Sequence, residues 1–209
     1  VSSISASNKT YDGNDTAIST ITLSGFIGTE TLTSSNLSSF NNKNVDTGKT
    51  VTINSITLAD GANGGLAANY SVPTGQTTTA DVTAKALTVS GITAANKIYD
   101  GNAVATLNST SLAYNGIVAG DDFAGTYSGA FNNANVGTNK TVTITPTYSG
   151  VDVSNYSVTD HATITANIIV KTLTATASAT NKVYDATNSA TTTLTLSGLI
   201  GIETLNSSN

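Results

Sequence analysis

One seven-residue string occurs three times in this chain. Asn8-Lys9-Thr10-Tyr11-Asp12-Gly13-Asn14 returns as Asn96-Lys97-Ile98-Tyr99-Asp100-Gly101-Asn102, and again as Asn181-Lys182-Val183-Tyr184-Asp185-Ala186-Thr187. The three tyrosines stand 88 and then 85 positions apart. A chain that repeats itself at that interval is a tandem array of small units rather than one large fold. Other landmarks keep the same order. Asn41-Asn42-Lys43-Asn44-Val45 matches Asn132-Asn133-Ala134-Asn135-Val136, and each is followed by a Lys-Thr-Val-Thr-Ile run at residues 49–53 and 140–144. Asn69-Tyr70-Ser71-Val72 matches Asn155-Tyr156-Ser157-Val158, and Ser24-Gly25-Phe26-Ile27-Gly28 reappears as Ser197-Gly198-Leu199-Ile200-Gly201.

These matches set the unit boundaries: 1–84 for a first unit whose opening strand is truncated, 85–170 for a second, and 171–209 for a third that stops less than halfway. The length differences between copies mark the loops. The first copy gains residues around Asp60-Gly61-Ala62-Asn63-Gly64-Gly65, a composition suited to a surface connection.

Within a unit the dominant pattern is period two. In Thr141-Val142-Thr143-Ile144-Thr145 apolar and hydroxylated residues alternate, which buries one face of a strand and wets the other. Strands are expected at residues 87–92, 104–107, 123–131, 140–147 and 162–166, and Pro146 is expected to put the end of its strand at an edge. No segment shows a strong helical period. Six or seven short strands in about 85 residues predict an all-β chain of tandem small antiparallel β-sandwich (Ig-like) domains. The alternative is a β-grasp-like unit, which requires a short helix at residues 30–40.

Composition narrows the chemistry. Thr (39), Ser (24) and Asn (23) together make up about two residues in five, with only 10% charged residues and no Cys, Met, Trp or Arg. Without cysteine there is no disulfide framework, thiolate metal site or thiol nucleophile. A net charge of −5 with no arginine argues against nucleic acid and anionic lipid partners. No apolar run approaches the length of a membrane-spanning helix, so no membrane insertion is expected. The first residue is Val1, with no signal-like segment, so the chain reads as a piece of a longer one. Near-zero mean hydropathy, small net charge and only two prolines favour a folded chain over a disordered one.

The recurring residues Tyr11, Asp12, Gly13, Tyr99, Asp100, Gly101, Tyr184 and Asp185 are read as a structural motif. In it a core tyrosine precedes a turn whose Asp bonds nearby amides and whose Gly takes positive φ. Calcium is the one cofactor weighed, at Asp121-Asp122 with Asp152; the ligand count falls short of the six to eight oxygens required, so no cofactor is expected. His161 is the single histidine and has no counterpart in the first unit, and no catalytic constellation recurs, so the chain is read as a non-enzyme. Lys9, Lys97 and Lys182 recur at one place, with Asn69 and Asn155 late in the unit. A Lys–Asn isopeptide bond was weighed against a lysine whose stem packs and whose head stays solvated, and the second reading is preferred.

The Lys-x-Tyr-Asp-Gly start, Gly120-Asp121-Asp122, Asn135-Val136-Gly137 and the later Asn-Tyr resemble the YDG repeats of bacterial filamentous-haemagglutinin-like surface adhesins. The resemblance covers essentially the whole chain. It departs at Ala186, where a Gly is expected, and at Thr29-Glu30, which replaces the acidic pair. It implies a secreted structural stalk on the bacterial cell surface, projecting a binding region, with neighbouring repeat units of the same chain as its partners. The alternative is direct binding of host or matrix glycans or proteins, for which Tyr114, Tyr127 and Tyr148 are the aromatic candidates.

Overall fold

The computed structural model describes residues 1–161 and 163–205. They form strands of 2 to 15 residues and two single-turn 3-10 segments, Ala67–Asn69 and Val153–Asn155, with no α-helix among the described residues. The chain is all-β, built of several sheets.

The threonine-rich runs fold as their period dictates. In strand Asp46–Asp60, Val51 and Ile53 are buried while Thr50 and Asn54 are exposed. In strand Gly137–Ser149, Val142 and Ile144 are buried between exposed Thr141, Thr143 and Thr145. A β-branched hydroxyl residue satisfies both needs of such a strand, since it fits the pleat and its oxygen meets water.

Each of the first two repeats forms a five-stranded sheet with one spatial order. In the first it is Lys9–Thr10, Thr77–Thr83, Asp46–Asp60, Leu32–Phe40, Thr16–Ala17. In the second it is Lys97–Ile98, Thr163–Ile169, Gly137–Ser149, Ala124–Phe131, Val104–Ala105. A bulge recurs where the long central strand begins, with Gly48 at φ 61° and Asn139 at φ 49°. Side chains of the next strand cap it: the Gly48 amide donates to Asp81 Oδ1 at 2.7 Å and the Asn139 amide to Asn167 Oδ1 at 2.8 Å.

The sheets are mixed, which corrects the purely antiparallel expectation. Lys9–Thr10 and Lys97–Ile98 pair parallel with the last strand of their own repeats. A two-residue strand returning beside a partner some seventy positions later has ample chain for a parallel connection. Strand Tyr156–Thr159 also pairs parallel, with Lys85–Ser90, whose other edge carries Ala113–Asn115. The helix that a β-grasp unit requires at residues 30–40 is instead the strand Leu32–Phe40. The strand that holds Pro146 runs on to Ser149, and its pairing to Thr163–Ile169 reaches Thr143, so the missing proline amide falls beyond that pairing.

The chain divides into two compact units that do not coincide with the sequence period. The first comprises Val1–Ser90, Ala113–Thr126 and Thr147–Asp160. It holds the first five-stranded sheet, the pair Ser3–Ala6 and Ser19–Thr22, and the three-stranded sheet around Lys85–Ser90. Its buried residues include Tyr11, Phe40, Val51, Ile53, Val82, Leu87, Val89, Phe123 and Tyr156. The second comprises Gly91–Leu112, Tyr127–Pro146 and the chain from His161 onward. Its core is Ala105, Phe131, Val142, Ala166 and Ile168, with half-buried Tyr99, Leu107 and Ile164 packed against them. Thus each unit draws on two consecutive repeats.

Candidate functional site

The Tyr-Asp-Gly turn shares its Asp and Lys bonds across the three copies, and its first two copies also share the strand that leads into it. The edge strand ends with a backbone bond that pins the tyrosine, from the Tyr11 amide to Thr83 O and from the Tyr99 amide to Ile169 O, both 2.8 Å. The following Asp accepts the amide two residues on: Asn14 to Asp12 at 3.2 Å, Asn102 to Asp100 at 3.1 Å, Thr187 to Asp185 at 3.0 Å. The lysine three residues before pairs with that Asp at 2.7, 2.7 and 2.8 Å. Lys9 Nζ also donates to the Asn14 carbonyl, Asn14 Oδ1 and the Thr16 carbonyl, so the ammonium organises the loop, and Lys97 does the same. With these contacts Lys9 and Lys97 face their own loops, while Asn155 is buried elsewhere. Burial opposes ionisation of Asp12, but Lys9 and the Asn14 amide outweigh it and hold the carboxyl below its ordinary range. Lys97 and Lys182 do the same for Asp100 and Asp185.

What surrounds the tyrosine differs from copy to copy. Tyr11 is 1% exposed, Tyr99 is half-buried, and Tyr184 is 90% exposed. Gly13, Gly101 and Ala186 all take positive φ, at 84°, 79° and 61°. A Cβ on Gly13 would stand 2.6 Å from Val118 Cγ1, and one on Gly101 2.8 Å from Ile200 Cγ2. In the first two copies, then, the next repeat presses against the turn.

Around Tyr11 this contact becomes a built joint between the first and second repeats, wholly inside the first compact unit. Asp121, its side chain 4% exposed, accepts the hydroxyls of Tyr11 at 2.8 Å and Tyr156 at 2.5 Å. The Tyr11 and Tyr156 rings meet edge to face at 5.6 Å, and Phe123 packs on Tyr156 in the same manner at 5.5 Å. Lys43 of the first repeat bridges Asp121 at 3.0 Å and Asp152 at 2.8 Å, lying 5.7 Å from the Tyr11 ring centre. Asn155, 1% exposed, accepts the Val45 amide at 2.9 Å and donates to Asn44 and Asp152. The recurring Asn-Val and Asn-Tyr landmarks are therefore the two sides of one contact.

The joint is electrostatically closed. Burial by itself would raise the Asp121 carboxyl, yet bonds from Tyr156, Lys43 and Tyr11 hold it below its ordinary range. Lys43 does the same for Asp152 and is itself raised well above an ordinary lysine by Asp152, Tyr11 and Asp121. Burial and the Asp121 bond push Tyr156 up to about 12. The Lys43 ammonium lies between Asp121 and Asp152, two of the three carboxylates considered for calcium. Asp122 is spent on backbone, accepting the Val151 amide.

Of the aromatic candidates for surface recognition, Tyr114 and Tyr148 pack on Phe123 at 5.1 and 5.2 Å, and all three lie in strands rather than loops. Lys43, Asp152 and Asn155 were not legible as a group, because Lys43 has Ala134 at its place in the second repeat. Asp121 had a signal: Glu30 and Glu203 hold its place in the other repeats, and each accepts a tyrosine hydroxyl, from Tyr70 and Tyr99 respectively.

A family model described as YDG domain matches residues 1–80 and again residues 83–166, most of the chain. No curated protein and no solved structure matches it.

Proposed function

The chain belongs to the YDG domain family, and we propose that it is a structural stalk in a secreted bacterial surface adhesin or fibre, holding a binding region away from the cell. The observation that carries this reading is the joint at Asp121. Its carboxylates, ammonium and phenols are consumed by one another, which suits them to holding neighbouring repeats together rather than to turning over a substrate. Cores shared between consecutive repeats support the same reading, because each repeat then needs its neighbour to bury its own tyrosine. A surface of Ser, Thr and Asn with few charges keeps such an array soluble across salt conditions.

The test is to place the chain, in one and then two copies, between a cell-surface anchor and an epitope tag on a bacterium. The tag's height above the outer surface should increase with each added copy. Saturable binding of a glycan or matrix protein by the chain itself, abolished by Asp121→Asn, would identify a recognition module instead.

A further inference from the structure

One residue of the recurring string is left over by the turn. Asn8 and Asn96 stand immediately before the edge strands Lys9–Thr10 and Lys97–Ile98, and each reaches to the last strand of its own repeat. Asn8 Oδ1 accepts the Asp81 amide at 2.7 Å and its Nδ2 donates to Asp81 Oδ2 at 3.3 Å. Asn96 Oδ1 accepts the Asn167 amide, also at 2.7 Å. Parallel pairing follows, with Lys9 opposite Val82 and Thr10 opposite Thr83 in the first repeat, and Lys97 opposite Ile168 and Ile98 opposite Ile169 in the second. The Tyr11 and Tyr99 amides then donate to Thr83 and Ile169, at 2.8 Å each. Asn-Lys-x-Tyr is thus bonded to the last strand from its first residue to its last.

The direction of these two strands decides how they respond to a pull. The chain leads into the pair at the N-terminal end of residues 8–11 and leads out at the C-terminal end of Thr77–Thr83. In a parallel pair those two ends face opposite ways along the strand axis. Tension between them slides one strand past the other and loads every bond across the pair together. In an antiparallel pair the same two ends lie side by side, and the bonds open in turn. The strand order adds a second consequence. Lys9–Thr10 neighbours Thr77–Thr83, with Asp46–Asp60, Leu32–Phe40 and Thr16–Ala17 beyond it. Tension therefore crosses from the first strand to the last without passing through the other three. The second repeat keeps this order, with Lys97–Ile98 beside Thr163–Ile169, inside the second compact unit.

We infer that Asn-Lys-x-Tyr, in each of the first two repeats, is a shear clamp: a catch that keeps its repeat folded while the chain is under tension. Asparagine suits the first position because its side-chain amide offers both a donor and an acceptor one residue before the strand begins. Resistance of this kind is governed by the barrier to forced unfolding and not by equilibrium stability, so a small repeat can hold a load that its melting point does not foretell. That a stalk must bear tension is where the inference rests on the stalk reading. The clamp itself follows from strand direction, and a weak clamp would leave the tag-height test of that reading unaffected.

Single-molecule force spectroscopy on the whole chain tests it, since a sequence without cysteine accepts paired attachment points at will. Ser7→Cys with Ala84→Cys pulls the first repeat in shear. Ser7→Cys with Thr74→Cys attaches before the N-terminal end of the last strand instead, and peels the same bonds away from Asn8 onward. All three positions are exposed, and thermal melting reports that each variant folds. The shear pair should rupture at no less than about twice the force of the peeling pair at one loading rate, because bonds that share the load fail together. Its rupture should release roughly 250 Å of chain. Ala95→Cys with Val170→Cys, and Ala95→Cys with His161→Cys, repeat the comparison on the second repeat and keep it decisive if a first-repeat variant fails to fold. Asn8→Ala should lower the shear force and change the peeling force little, since the next bond then sets it. Equal forces in the two geometries overturn the inference, and a shear force indifferent to Asn8→Ala removes the asparagine from the clamp.

Discussion

Replacing Asp121 by Asn keeps the shape of the joint and removes its charge. The carboxylate accepts two phenolic hydroxyls and one ammonium while almost wholly buried. Hydrogen bonds to a buried charged group contribute about 1.5–3 kcal/mol each, against about 1 kcal/mol for neutral pairs, so converting the two tyrosine bonds loses about 1–4 kcal/mol in all. The Lys43 pair adds no more than about 1 kcal/mol, since that side chain is 36% exposed and keeps Asp152. The expected cost is therefore about 1–5 kcal/mol. Native-state amide exchange reads this where it matters, in the first repeat, although the substitution lies in the second. The amides of Tyr11, bonded to Thr83, and Ile53, bonded to Gln76, should exchange roughly fivefold to five-thousandfold faster. Glu203→Gln, at an exposed carboxylate with one tyrosine, should change exchange at Tyr99 by less than about tenfold. Unchanged protection of Tyr11 and Ile53 in Asp121→Asn would mean that the first repeat closes its core without the second, and the shared-core argument would fail.

Thermal melting of single variants should separate the first and third tyrosines: Tyr11→Ala should cost about 3–5 kcal/mol and Tyr11→Phe about 1.5–3 kcal/mol, while Tyr184→Ala, at a ring 90% exposed, should leave the melting point unchanged. Gly13→Ala should cost about 1–3 kcal/mol, because it meets both a left-handed φ of 84° and Val118 at 2.6 Å. Adding Val118→Ala should restore the contact part of that loss and not the backbone part, measured as a double-mutant cycle by urea denaturation. Melting across pH should show a plateau with two edges. Asp121 and Asp152 are depressed in the folded chain, so their contribution is present above the ordinary carboxylate range and is lost as pH falls below it. Lys43 and Tyr156 are raised, so theirs is present below their ordinary values and is lost as pH rises through about 12 for Tyr156. A profile flat from pH 3 to 12 would show that the joint carries no net charge coupling.

The long strands were legible because their signal is local. Alternation in residues 141–145 fixes which face is buried without reference to any other part of the chain. Strands Ala113–Asn115 and Tyr156–Thr159 were not, because each has only a few residues and exists by pairing with Lys85–Ser90, some 25 to 70 positions away. The turn at Asp12-Gly13 was legible for the same reason as the long strands: an Asx bond and a positive φ need no distant partner. The fate of the tyrosine was not. The same motif leaves Tyr11 in a core and Tyr184 in solvent, so burial belongs to what the next repeat supplies and not to the string itself.

That contrast explains why the compact units fall out of step with the sequence period. A repeat's tyrosine protrudes beyond its own sheet, and the lip that covers it, Val118 with Asp121 or Ile200 with Glu203, is written into the following repeat. The lip needs support in turn, which the late Asn-Tyr of its own repeat supplies: Tyr156 to Asp121, Tyr70 to Glu30. A carboxylate placed between two repeats can thus accept one phenol from each, as Asp121 does along with the Lys43 ammonium. Because the two sides of the Asp121 joint come from different repeats, the first compact unit draws on a pair of neighbours.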